Sequence, residues 1–208
     1  MQELKPEFFA RIDESDDELF YRTPRIVKHI DENACLAIET FYDKILPTGK
    51  TILDLMSSAF SHFPTRMLRE RVIGLGMNSN EMATNPMLTS YVVHNLNHDP
   101  ILPFDNNNFG AIVITVSIQY LTQPIEVFQE AHRVLETSGS LIVVFSNRMF
   151  PTKAVSIWRR IPTGQQHQQL VESYFNVAGN YENIRCIDIT TKCEGYTDPV
   201  YVVTGQKG

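Results

Sequence analysis

The candidates for a general base in this sequence are His29, Tyr21 before it, and Tyr120 beside Gln119. A positioned general base adds about 10²–10⁴-fold to a reaction whose substrate must lose a proton. A partly exposed helix histidine and a packing aromatic are the plain alternatives for His29 and Tyr21. Arg22 and Arg25 bracket Pro24, and Arg148 follows an apolar run. A guanidinium can fork onto a carboxylate, although pairing with the acidic run Asp13–Glu18 competes for it. His94 and His98 are four apart, but Asn95-Leu96-Asn97 between them reads as a strand end and loop, so no metal site is expected. Ser57 and Ser58 lack a Gly-x-Ser-x-Gly elbow and an ordered His–Asp partner, which argues against a hydrolase. Cys35, Cys186 and Cys193 are an odd set without C-x-x-C spacing. They read as reduced thiols of a cytoplasmic protein and not as zinc ligands.

These residues need elements to hold them. The chain has 208 residues, 43% hydrophobic and 20% charged, enough for one well-cored domain. Its formal net charge of -6 argues against a non-specific nucleic-acid binder, which needs excess cations. Ala111–Val116 and Leu141–Phe145 are its longest aliphatic runs, far short of the roughly 20 residues of a membrane helix. Met1–Glu18 has no apolar signal core, so no secretion signal is expected. The first 49 residues read as a helical cap: a short helix at Pro6–Phe9, a solvated acidic face, then an amphipathic helix from Pro24, capped by Thr23, to Leu46. Pro47-Thr48-Gly49 ends it.

From residue 50 the pattern changes to strands and helices in alternation. Thr51–Leu55, Val72–Leu75, Tyr91–Val93, Ala111–Val116 and Ser140–Phe145 are short apolar runs. Thr65–Arg69, Glu81–Ala83, Pro124–Leu135 and Gln168–Ala178 have helical character. This predicts an α/β domain over residues 50–208, a doubly wound and mostly parallel sheet. Ile184–Ile189 and Pro199–Thr204 predict an antiparallel hairpin at its edge. In such sheets ligands bind at the carboxyl ends of the strands, so the residues directly after each run are the ones to inspect.

Those positions resemble a known family. Leu102-Pro103-Phe104-Asp105, Asn108-Phe109, Ser117–Leu121, Glu130, Arg133-Val134-Leu135 and Ser138-Gly139 stand as in class I S-adenosylmethionine-dependent methyltransferases of the small type-11 kind. The resemblance implies S-adenosylmethionine as cofactor, a small-molecule methyl acceptor, and no nucleic acid or membrane partner. It implies cofactor contacts at Asp54, Met56, Ser57, Ser58, Gly76, Met77, Asn78, Asn95, Leu96, Ser117 and Gln119. Trp158, with Ile157 and Ile161, reads as helix packing.

The chain departs from the family at four points. Leu55–Phe60 replaces a glycine-rich turn, and Met56 falls where a positive φ costs a non-glycine residue about 1–3 kcal/mol. Gly76 stands where the family has an acid for the ribose hydroxyls, leaving Asn78 as the neighbouring acceptor. Asn95 replaces an acid near the adenine, and Gly110 replaces an Asp. These departures define a second reading: a methyltransferase-like module for binding or regulation, without turnover.

Overall fold

The computed structural model describes residues 4–208. Its centre is a seven-stranded sheet in the order β3-β2-β1-β4-β5-β7-β6. The strands are β1 (Ile52–Leu55), β2 (Val72–Gly76), β3 (Ser90–Val93), β4 (Phe109–Thr115), β5 (Leu135–Phe145), β6 (Tyr181–Asp188) and β7 (Tyr201–Lys207). The first five pair in parallel, and β7 lies antiparallel between β5 and β6. The predicted fold class and terminal hairpin are therefore those of the molecule. Strand order reverses at β1, which has β2 on one side and β4 on the other. A ligand crevice opens at such a switch point.

Helices cover both faces: α1 (Asp17–Tyr21), α2 (Glu32–Ile45), α3 (Ser79–Thr84), α4 (Pro124–Val134), α5 (Ser156–Arg160) and α6 (Gly164–Ala178). Strand residues alternate between them. Leu53, Leu55, Ile112 and Ile114 join Phe128, Val171 and Phe175 in one core. Ile52, Ala111, Val113 and Ile142 join Ala34, Ile38 and Tyr42 in the other. Trp158, 2% exposed, packs edge-on to Phe145 and stacks on His167. Cys35 is buried, Cys186 and Cys193 are exposed, and all three are free thiols.

Two readings of the N-terminal region need correction. The long helix starts at Glu32, not after Pro24. Asp31 caps it by accepting from the Ala34 amide at 2.8 Å, while Asp31 and Asp198 also exchange backbone-to-carboxylate hydrogen bonds. That cap defeats the Thr23-Pro24 signature because residues 22–30 are drawn towards the strand ends. Ile26 and Val27, inside the helix expected from Pro24, are 55% and 54% exposed. Nor is the acidic run wholly solvated. Asp17 is buried, with Arg11 Nη1 at 2.7 Å and the buried Lys153 Nζ at 3.1 Å. Asn97 Nδ2 also donates to Asp17, at 2.9 Å. This cluster fastens the N-terminal segment to the loops after β3 and β5.

Candidate functional site

A cavity of about 350 Å³ opens at the carboxyl ends of β1–β4, within the size range of small-ligand sites. Ten of the eleven residues assigned to the cofactor from sequence line it: Asp54, Met56, Ser57, Ser58, Gly76, Met77, Asn78, Asn95, Leu96 and Ser117. Gln119 does not. It is fully buried behind the wall, where Nε2 donates to the carbonyls of Val116 and Arg148. Tyr21, His29 and Tyr120 line the cavity too.

The loop after β1 shows how this chain manages without glycines. Met56 takes the left-handed conformation directly, at φ 61°. Its neighbours hold it there. The Ser57 amide donates to Leu75 O, and the Ser57 and Ser61 hydroxyls both donate to Asp54 Oδ2 at 2.6 Å. Ser58 Oγ donates to Glu81 Oε2 at 2.6 Å, and Asn85 Nδ2 donates to Ser58 O and Ser61 Oγ. His29 (60°), His62 (54°) and Val116 (54°) also line the cavity on left-handed backbone. Strain of this kind persists only where surrounding structure over-determines it.

Gly76 is required by the same loop. A Cβ there would collide with the Ser57 carbonyl oxygen, so an acid at this position has no room. Asn78 is not a spare acceptor. Its Oδ1 accepts from the amides of Asn80 and Glu81, capping α3, and its Nδ2 donates to Tyr21 O and Arg22 O. The carboxylate on this side of the cavity is Glu81, 7% exposed, which also accepts from the Arg25 amide. Sequence reading passed over it. Its signal was an acidic residue in the first turn of a helix after β2, which a helix dipole explains equally well.

Electrostatics separate the candidate bases. Burial is the largest influence on Asp54, pushing it up to about 6 against its two hydroxyl donors. Burial also raises both phenols, Tyr21 and Tyr120, and Tyr120 Oη accepts from the Phe150 amide. Neither is a ready proton acceptor at neutral pH. His62, missed in the sequence, is pushed down to about 4, mainly by desolvation. His29 is lowered first by desolvation, with Glu81 opposing and Arg25 adding to the fall. It meets the Phe150 ring edge-on at 5.4 Å. His94 Nε2 lies 2.8 Å from Asp99 O, and no His/Cys/Asp/Glu group among the described residues has metal-site geometry.

The other sequence-flagged cations have separate places. Arg22 ends α1 and is exposed. Arg148 pairs with Asp198 at 2.7 Å, and Arg25 reaches the cavity wall. Neither of these cavity arginines pairs with the acidic run.

The donor and acceptor set suits S-adenosylmethionine. A buried carboxylate, Asp54, lacks a cationic partner among the described residues, and Ser117 Oγ is a buried cavity hydroxyl without a hydrogen bond. Gly76 brings bare backbone to the wall. The fold is the class I methyltransferase fold. Residues 57–143 match the family model described as a methyltransferase domain.

Solved structures agree on the fold. A methyltransferase from Aquifex aeolicus superposes with a TM-score of 0.61 at 14% identity, over 99% of this chain and 100% of that one. Haemonchus contortus phosphoethanolamine N-methyltransferase 2, bound to S-adenosylmethionine, gives 0.56 at 13%, over 85% of this chain and 52% of that one. The cyclase SpnF gives 0.60 at 15%, over 83% and 81%. No functionally curated protein matches the sequence. Among the described residues, no helix is long and apolar enough to cross a membrane.

Proposed function

We propose that the protein is an active cytoplasmic methyltransferase whose acceptor is a small molecule, needing no nucleic acid or membrane partner. The observation that carries this reading is Asp54. A carboxylate buried with only two hydroxyl donors pays a desolvation cost that a bound cation would offset. S-adenosylmethionine carries two positive centres, its sulfonium and its ammonium. Bound here, it supplies an activated methyl group. Asp54, Ser57 and Ser58 hold its methionyl end, and Glu81 serves as ribose acceptor. Glu81 has two donors already, but a carboxylate offers about four lone-pair sites. Met77, Asn95 and Leu96 border the adenine, Gly76 admits close approach, and Ser117 faces the transfer region.

Residues 1–49 act as the cap over this site. His29 would take, on an imidazole nitrogen, the proton that the acceptor loses on methylation. It is preferred over His62 because a base near 4 is nearly useless at pH 7. Much of the rate would come from positioning, worth up to about 7–11 kcal/mol for well-oriented pairs. The second reading, a domain without methyl-transfer turnover, has one specific support. A cyclase shares the fold, and fold alone does not fix chemistry.

Calorimetric titration with S-adenosylmethionine and S-adenosylhomocysteine tests the first reading. Saturable binding of both is expected, with Asp54→Asn weakening the cationic ligand more. Absence of binding by either at millimolar concentration overturns it.

A further inference from the structure

Three cations line the cavity: Arg25, Lys28 and Arg148. Two are already answered by carboxylates. Lys28 Nζ lies 2.9 Å from Glu32, and Arg148 Nε lies 2.7 Å from Asp198. The Arg25 side chain has no carboxylate partner among the described residues. Its Nη2 donates to Phe20 O at 3.0 Å, and its Nη1 is buried with no partner at all. Glu81 engages the Arg25 backbone amide, not the guanidinium.

The guanidinium is nevertheless held in place. Its carbon lies 4.4 Å from the Phe20 ring centroid and 5.4 Å from that of Phe150. Phe150 in turn packs at 5.5 Å on Phe20 and at 5.9 Å on Tyr120. A fixed, planar fork with an unmet donor suits a planar oxyanion, whose two oxygens can accept in parallel. Its location also matters. Phe150 follows β5 and Tyr120 follows β4, so Arg25 faces the β4–β5 side of the switch point. The proposed adenosyl contacts at Gly76, Met77 and Asn95 lie on the β2–β3 side. The ligand that meets Arg25 therefore enters from the acceptor's side, against aromatic walls.

We propose that Arg25 is the receptor for a carboxylate on the methyl acceptor, so that the substrate is an apolar or aromatic acid. This rests on the methyltransferase reading above, and the experiment separates the two. Benzoate and its neutral isostere benzamide are titrated into the full-length protein saturated with S-adenosylhomocysteine. S-adenosylhomocysteine and methylthioadenosine, which lacks the carboxylate, are titrated into the free protein. Benzoate should bind at least about tenfold more tightly than benzamide. Arg25→Gln should erase that preference, and Arg25→Lys should restore part of it, while both nucleosides bind the variants as they bind the native protein.

Equal binding of benzoate and benzamide overturns the proposal, as does binding of neither at 10 mM. If Arg25→Gln weakens S-adenosylhomocysteine but spares methylthioadenosine, Arg25 grips the cofactor's carboxylate and the assignment to the acceptor is wrong. Failure of S-adenosylhomocysteine to bind the native protein is a different result, against the methyltransferase reading itself. Circular dichroism of both variants shows whether the fold is retained. The lysine variant remains informative if the glutamine variant unfolds.

Discussion

The cluster beneath the N-terminal segment and the cavity beside it bury charge in opposite ways. In the cluster, Asp17 meets Arg11, Lys153 and Asn97, and Lys153 also meets Asp13 and the Ser15 carbonyl. Every charge there is answered by another part of the same chain. In the cavity, Asp54 has hydroxyl donors only, while Arg25 Nη1 and Ser117 Oγ have no partner. Charge that the chain satisfies by itself holds structure together. Charge left short, beside strained backbone and open space, is what an incoming ligand can answer. Asn97 belongs to both regions: it donates to Asp17 and lines the cavity. Asn97 thus joins the N-terminal segment to the cavity wall.

The largest effect should come from breaking the closed cluster. Asp17→Asn leaves the Lys153 ammonium, fully buried, with less compensation, and Asp17→Ala leaves both it and Arg11 facing a gap. Removing one partner of a buried pair costs about 3–5 kcal/mol. Urea denaturation of Asp17→Ala should show a loss of that order. A loss below 1 kcal/mol would mean that the cluster is held no more firmly than a surface pair. Because Arg11, Asn97 and Lys153 depress Asp17 despite its burial, its contribution is present above the ordinary carboxylate range and is lost as pH falls below it. The same logic argues against deleting the first 24 residues as a test of the cap. The deletion would remove Asp13, Ser15 and Asp17 from Lys153 and unsettle the core along with the lid.

The open site should respond to pH with the reverse sign. The Asp54 carboxyl rises from 3.8 unfolded to about 6 folded, so the native state binds the extra proton between those values. Its stabilising contribution is full below about 4 and gone once pH exceeds about 6. Two pH units correspond to about 3 kcal/mol. The stability difference between wild type and Asp54→Asn should therefore swing by about that amount between pH 4 and 7.5, in favour of the variant at high pH. Thermal or urea denaturation of the ligand-free proteins reads the swing. A constant difference across this range would show that Asp54 titrates as an ordinary carboxylate. S-adenosylmethionine binding should strengthen as Asp54 ionises, and only in the native protein.

The contrast also marks what the sequence could and could not show. Strand runs and strand ends were legible because a parallel sheet buries both faces and its ligands gather at one edge. Hence Asp54, Ser57, Gly76, Asn95 and Ser117 could be placed around one cavity before any coordinates. Residues 22–31 were misread because Thr23-Pro24 obeys the local rules of a helix start, while the competing contacts come from distant positions, Glu81 and Asp198. Gln119 carried the correct position in the chain but turned inward. Asn78 carried a suitable amide but spends it on α3 and the cap. His62 and Phe150 gave no local signal, because their roles depend on which loops meet.

The smallest predicted effect tests whether the site's backbone is strained as its angles imply. Met56 sits at φ 61°, where an L side chain costs about 1–3 kcal/mol. Its side chain is also partly buried against the core, so truncation alone loses packing. Comparing Met56→Ala with Met56→Gly removes that complication, since both variants lack the thioether arm. At an ordinary position alanine is the more stable of the two by about 0.5–1 kcal/mol, because glycine loses more freedom on folding. At Met56 the order should invert, with Met56→Gly the more stable by about 1 kcal/mol in urea denaturation. An exposed site in α2 such as Thr40 supplies the control, where alanine should win. If alanine also wins at position 56, the hydrogen bonds of Ser57, Ser58 and Ser61 impose no left-handed geometry in solution. The loop would then have to close on its ligand by a change of conformation, and not by holding its shape in advance.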